Sequence, residues 1–244
     1  MTERKVALVT GGSRGIGAAI ALKLAEEGFA VVVNYAGNHA AADSVVKKII
    51  DAGGKAHAMQ ANIADAAAVQ ALFERIEATH GRLDVLVNNA GIMTLAPLGQ
   101  MAPSVVDAQI DINLKGTINT LREAANRLQD GGRIINLSTS VVGLKLENYA
   151  VYAATKAAVE TLTAILAKEL RGRDITVNAV APGPTATDLF LQGKSDELVE
   201  RLAKMAPLER IAEPDDIAHV VAFLASPAGG WVNGQTLRAN GGTV

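Results

Sequence analysis

The chain contains no cysteine. Disulfides, thiolate metal sites and a cysteine nucleophile are excluded with it. Histidine is sparse: His39, His57, His80 and His219 are scattered, without the spacing of metal ligands. Aromatic residues make up only 3% of the 244 residues, although the hydrophobic share is 49%. The core must therefore be aliphatic, which suits parallel strands covered by helices on both faces. Charge is nearly balanced, with a formal net of −2. Nothing in that balance calls for nucleic acid or an anionic membrane as partner. No run of about 18 apolar residues is present, so no membrane-spanning helix is expected. Met1-Thr2-Glu3-Arg4-Lys5 has no apolar stretch of signal-peptide type and leads directly into a strand. The expectation is a cytoplasmic protein that works without a metal.

What is present is an alternation of strand and helix from end to end. Short Val- and Ala-rich runs at 5–10, 30–34, 55–60, 84–88, 133–137, 175–180 and 235–239 read as buried strands. Helices are expected over 15–27, 40–51, 65–79, 104–128, 149–170, 188–204 and 215–224. Several stop at glycine, as at Gly28 and Gly81, and Asp65 stands where an N-cap belongs. Such alternation predicts βαβ units and a doubly wound parallel sheet. No linker, repeat or shift in composition divides the chain, so residues 1–244 read as one domain. The Gly- and Pro-bearing stretches 91–103 and 182–207 follow strands, where loops at the carboxyl edge build a site.

Thr10-Gly11-Gly12-Ser13-Arg14-Gly15-Ile16-Gly17 joins the first strand to the first helix. Gly11 permits a tight turn, Gly15 lets backbone approach a diphosphate, and Gly17 allows close packing. The helix start adds free N–H groups and a positive dipole end. With Ser13, Arg14 and Ile16 these glycines form the expected dinucleotide loop. No Lys-Ser/Thr pair follows, so it is not a P-loop. An acid ending the second strand would bind the ribose 2′-hydroxyl of NAD. Asn34 and Tyr35 stand there instead, and Arg14 offers a cation to a 2′-phosphate. NADPH is the expected cofactor. Asn62, beside Ile63, is a candidate for the adenine amine. Asn88-Asn89-Ala90-Gly91 follows the fourth strand; the Asn pair can tie strands together, while Ala90 and Gly91 leave room for a ribose.

In Tyr152-Ala153-Ala154-Thr155-Lys156 a phenol and an ammonium stand four apart, on one helix face. The ammonium favours phenolate and draws the tyrosine pKa down from about 10, which fits Tyr152 for proton transfer. Together with the glycine loop this reads as hydride-transfer chemistry.

The set of Thr10–Gly17, Asn88–Gly91, Asn113, the hydroxyl run 138–140, Tyr152-x-x-x-Lys156 and Pro182-Gly183 resembles the short-chain dehydrogenase/reductase family, over essentially the whole chain. Among its members the chain is similar to 3-oxoacyl-carrier-protein reductases and polyhydroxynaphthalene reductases. The resemblance implies a single-domain, Rossmann-type α/β fold. It implies NADPH-dependent reduction of a carbonyl, with Tyr152 giving the proton and Lys156 bonding the nicotinamide ribose. It implies that Asn113 holds a water linking Lys156 to solvent. The family's catalytic serine falls here on Thr139; a small shift of the loop would present Ser140 instead, and both stay candidates. Pro182, Gly183, Thr185 and Thr187 correspond to the loop that reaches the nicotinamide carboxamide, and Asn89 to the motif beside it. A homotetramer, or a homodimer, is implied as well.

Segment 188–207 mixes Leu189, Phe190, Leu191, Leu198, Leu202 and Met205 with many charges. It reads either as a substrate lid or as a surface helix. Met93, Thr94, Leu95 and Leu98 are candidates for the opposite wall. An apolar wall favours a small-molecule ketone or aldehyde with an apolar body. Arg127, Arg133, Arg171 and Arg173 read as helix-end charges rather than as a carrier-protein patch.

Overall fold

The computed structural model describes residues 4–244; Met1–Glu3, on which part of the N-terminal reading falls, lie outside the described residues. Seven short strands form one sheet: β1 (Val6–Val9), β2 (Ala30–Tyr35), β3 (Lys55–Gln60), β4 (Val85–Asn88), β5 (Arg133–Leu137), β6 (Thr176–Pro182) and β7 (Thr236–Ala239). Every adjacent pair is parallel, in the order β3-β2-β1-β4-β5-β6-β7. The chain begins in the middle, winds outward to β3, returns across β1 to β4 and continues to β7. The winding reverses between β1 and β4, and a crevice opens beyond the carboxyl ends of strands at such a point.

Continuous burial of β1, β2 and β4 follows from helices on both faces. On one face lie α1 (Gly15–Glu26), α2 (His39–Asp51) and α10 (Pro214–Ala225), which contribute Ile20, Leu24, Ile49, Val221 and Leu224. On the other lie α3 (Ala66–His80), α5 (Gly116–Arg127) and α7 (Ala150–Glu169), with Leu72, Phe73, Leu121 and Leu166. Among the described residues, α7 alone has the length and apolar composition to cross a membrane. It packs on β6 and β5 and carries the buried Lys156.

Several boundaries follow the sequence signals. The Asp65 carboxylate accepts from the N–H groups of Ala67 and Ala68 at the start of α3, and Gly81 closes it with φ 72°. The predicted helix 104–128 is interrupted. It divides into α4 (Pro103–Gln109), wide π-type turns at Ile110–Lys115, and α5. The predicted helix 188–204 also divides, into α8 (Asp188–Leu191) and α9 (Asp196–Ala203). Gly193 breaks it, and the Ser195 hydroxyl accepts from Leu198 N–H to start α9 anew. A short helix not foreseen, α6 (Val141–Leu144), follows the hydroxyl run.

Candidate active site

The loop after β1 is held by side chains on neighbouring strands. The Thr10 hydroxyl accepts from the N–H groups of Asn89 (3.0 Å) and Ala90 (3.1 Å). Asn89 returns two bonds through Nδ2, to the carbonyls of Thr10 and Gly11. A Cβ on Gly17 would lie 2.4 Å from both Asn89 Nδ2 and the Gly11 carbonyl oxygen, so no side chain fits. Gly15 has φ 51°, in the left-handed region that favours glycine. Thr10 received no role from sequence reasoning, because its partners lie far along the chain.

α1 begins in this loop with no acidic residue in its first turn and no side-chain cap. Its first N–H groups are therefore open to an anion. The Arg14 side chain is exposed and makes no hydrogen bond or ion pair among the described residues. Asn34 is buried and fully engaged: it accepts from Gly11 N–H at 3.4 Å and donates to the carbonyls of Met59 and Ala61. It braces the loop and presents no free amide to the cleft. The Tyr35 hydroxyl lies 2.8 Å from His39 Nδ1. Asn62 Oδ1 accepts from Ala64 N–H in an exposed turn, while Ile63 is buried under Gly116.

Tyr152 and Lys156 sit where β5 ends against α7. Lys156 is buried, and its Nζ donates to the Leu137 carbonyl at 2.7 Å. Burial lowers its pKa to about 8. Burial also pushes Tyr152 up to about 12, against the downward pull of a hydrogen bond with the Thr139 side chain. The sequence-based expectation of a depressed tyrosine pKa is thus reversed. Desolvation outweighs the Thr139 bond, and the Lys156 ammonium spends its hydrogen bond on the Leu137 carbonyl.

The strand ends at Leu137 and Ser140 is already helical, and hydrogen bonding separates the three hydroxyls. Ser138 donates to Glu160 at 2.6 Å, and Ser140 donates to the Ala181 carbonyl and accepts from Asn240 Nδ2 at 2.9 Å. Thr139 alone turns to Tyr152. The Asn113 amide grips Ile92 at both ends, accepting from its N–H and donating to its carbonyl, each at 2.8 Å. That leaves its side chain as a brace for the Gly91–Ile92 backbone. Asn88 donates to Asn136 and accepts from Thr120 inside the sheet layer, a structural role. Glu160 and Asn240 were not singled out from the sequence; both act through partners that only the fold supplies.

Beyond β6, Gly183 N–H donates to Ala239, and Thr185 Oγ1 bonds back to the Gly183 carbonyl. Thr187 caps α8 by accepting from Phe190 N–H and leans on Gly15. One cleft of about 490 Å³ connects the glycine loop, Asn89–Gly91, Thr139, Tyr152, Lys156 and Thr187. Asp188 is the one carboxylate among its described lining residues. Leu189, Phe190, Leu202 and Met205 from the 188–207 segment form one wall, and Met93, Leu144, Leu146 and Tyr149 lie among the rest. Thr94, Leu95 and Leu98 do not line it, and Leu98 is exposed on the surface. Arg127 pairs with Glu77 and Glu123, and Arg173 caps the Ala125 and Leu128 carbonyls at the end of α5.

The sequence signature of a family described as enoyl-(acyl carrier protein) reductase matches residues 11–244. A short-chain type dehydrogenase/reductase of Picea abies is 46% identical over 250 residues, covering 98% of this chain and 92% of its own. This chain belongs to the short-chain dehydrogenase/reductase family. Within that family it is also similar to the 3-oxoacyl-acyl-carrier-protein reductase FabG of Staphylococcus aureus, at 48% identity over 244 residues and 99% of each chain. A short-chain dehydrogenase from Burkholderia cenocepacia, solved in complex with NADP, superposes with a TM-score of 0.93 at 37% identity, covering 100% of this chain and 99% of that one. The seven-stranded parallel sheet is thus a short-chain dehydrogenase/reductase sheet throughout.

Proposed function

We propose that the protein reduces a ketone or aldehyde to an alcohol with NADPH. The observation that carries this reading is the placement of Tyr152, Thr139 and Lys156 on the same cleft as the open N-terminus of α1. The residues fit the cofactor. Gly17 tolerates no side chain against Asn89, the α1 amides lack an acidic competitor, and Arg14 is without a partner among the described residues. The α1 start and residues 11–17 would hold the diphosphate, Arg14 the 2′-phosphate, and Thr185 and Thr187 the carboxamide end. NADPH, when bound, supplies the hydride.

The chain's own part is to bind and polarise the carbonyl. With its pKa raised to about 12, Tyr152 keeps its proton throughout the neutral range. It can therefore donate that proton to the carbonyl oxygen as negative charge grows there. Thr139 adds a second hydrogen bond to the same oxygen. Lys156, held by Leu137 and close to Gly91, is placed for the ribose hydroxyls. The apolar walls suit substrates with an apolar body, 3-oxoacyl thioesters among them. A protein that merely bound NADP would have no use for a proton donor in the cleft.

Two measurements test this. Tyr152→Phe should cut turnover with any accepted carbonyl by about 10²–10⁴-fold while leaving NADPH affinity in place; ordinary turnover in that variant overturns the mechanism. The native protein should bind NADPH more tightly than NADH, and Arg14→Ala should narrow the gap by up to roughly tenfold. Equal affinity of the native protein for both dinucleotides overturns the assignment of cofactor.

A further inference from the structure

Most polar side chains around the reacting end of the cleft are already engaged. Ser138 is bonded to Glu160, Ser140 to Ala181 and Asn240, and Thr243 to the Asn240 carbonyl. Tyr149 is different. It lines the cleft among Leu144, Leu146 and Met205, yet its hydroxyl makes no hydrogen bond among the described residues. Its ring stands edge-on to that of Tyr152, with centroids 6.5 Å apart.

The backbone that delivers Tyr149 is unusual. Lys145 (φ 54°) and Asn148 (φ 70°) both occupy the left-handed region without being glycine. Two such residues within four positions cost conformational energy, and such strain gathers where a side chain must be aimed. The Asn148 carbonyl accepts from Ala96 N–H, which fixes this segment to the loop after β4. Tyr149 then sits at the N-cap position of α7, three residues before Tyr152. Two phenols therefore face one cleft side by side, one hydrogen-bonded to Thr139 and the other free.

We propose that Tyr149 is a specificity-determining residue that binds a second oxygen of the substrate, on the carbon adjacent to the reduced carbonyl. The substrate class is a vicinal dicarbonyl or an α-hydroxyketone. This rests on the carbonyl-reductase reading and narrows it. In the reaction, NADPH gives a hydride to one carbonyl carbon and Tyr152 a proton to its oxygen. One C=O π bond becomes a C–H and an O–H bond, NADP⁺ leaves, and the second oxygen function is unchanged while Tyr149 holds it. A site of this kind favours a substrate with the matching oxygen, which gives the Tyr149 hydroxyl a hydrogen-bond partner that the described residues do not supply.

Tyr149→Phe removes the oxygen and keeps the ring against Tyr152. With diacetyl and butanone as paired substrates, the variant should lose about tenfold in kcat/KM for diacetyl and less than about twofold for butanone. A second arm needs no turnover. In the NADPH-loaded protein, calorimetry should show the variant weakening the vicinal butanediol and leaving secondary butanol unchanged. Equal losses for both substrates, or an unaltered butanediol affinity, overturn the role of Tyr149 while carbonyl reduction stands. Absence of carbonyl reduction in the native protein overturns the underlying reading, and the diol arm still reports on Tyr149 by itself.

Discussion

Three hydroxyls stand in a row at 138–140, and hydrogen bonding sorts them. Ser138 and Ser140 are committed to Glu160 and to Ala181 and Asn240, while Thr139 faces Tyr152. Thr139→Ala should therefore lower kcat by tenfold or more with little change in NADPH affinity, since a bond to the developing oxyanion strengthens toward the transition state. Ser138→Ala and Ser140→Ala should reduce stability more than turnover. Steady-state kinetics with urea titrations separates the cases, and a kcat unchanged in Thr139→Ala removes that residue from the chemistry. At this scale the sequence offered candidate residues but not their settings. The spacing of Tyr152 and Lys156 was legible, because helix periodicity is local. The direction of the Tyr152 pKa was not, because burial depends on what the rest of the chain places around the phenol. Asn34 and Asn113 were legible as unusual residues, yet their amides bind Met59, Ala61 and Ile92, partners at a distance along the chain.

Among the elements, the stretch from Pro103 to Arg127 departs most from its pattern. Its apolar spacing reads as one helix, and the register is broken by the wide turns at Ile110–Lys115. Asn113 lies in those turns, fully buried, and satisfies both backbone groups of Ile92. Asn113→Ala would orphan an N–H and a carbonyl at once. At about 1–3 kcal/mol for each group left without a partner, the loss should be roughly 2–6 kcal/mol in urea denaturation, toward the lower end because Ile92 is only part-buried. A loss under about 0.5 kcal/mol, the level of an ordinary surface change, would show that the clamp is dispensable. Caps were easier to foresee than this interruption. Asp65 and Gly81 bound α3 through their own conformational chemistry, whereas a π-type turn is rare and has no comparable residue signal.

For the whole molecule, the buried pair makes global stability depend on pH in opposite senses. Lys156 holds its proton to about 10.5 when unfolded and releases it near 8 when folded. Between those values the unfolded state binds more protons, so stability rises with pH; the contribution is lost as pH falls through about 8. Tyr152 titrates near 10 unfolded and about 12 folded, so above 10 the folded state binds more protons and stability falls. The window from about 8 to 10 lies below the tyrosine and holds Lys156, with Lys194, whose pKa burial also lowers, acting in the same sense. Lys156→Met should flatten the slope of unfolding free energy there, as read from urea midpoints across that range. Parallel slopes for variant and native protein would rule out a depressed Lys156. Fold class and single-domain organisation were legible at this scale, because alternating strands and helices with right-handed crossovers leave few arrangements.

The central place of β1 sets a schedule for biosynthesis. Val6–Val9 is made early, yet one of its two neighbours, β4, begins only at Val85. Asp84, whose carboxylate accepts from Val6 N–H, arrives with it. At a translation rate of about 5–20 residues per second, one edge of β1 waits roughly 4–16 seconds for its partner. During that interval the emerging β1-β2-β3 segment has an apolar strand with an unpaired edge, the kind of surface that recruits other chains. Faster elongation, or a holdase bound during the wait, should therefore change the yield of folded protein, even though neither alters a contact in the finished molecule.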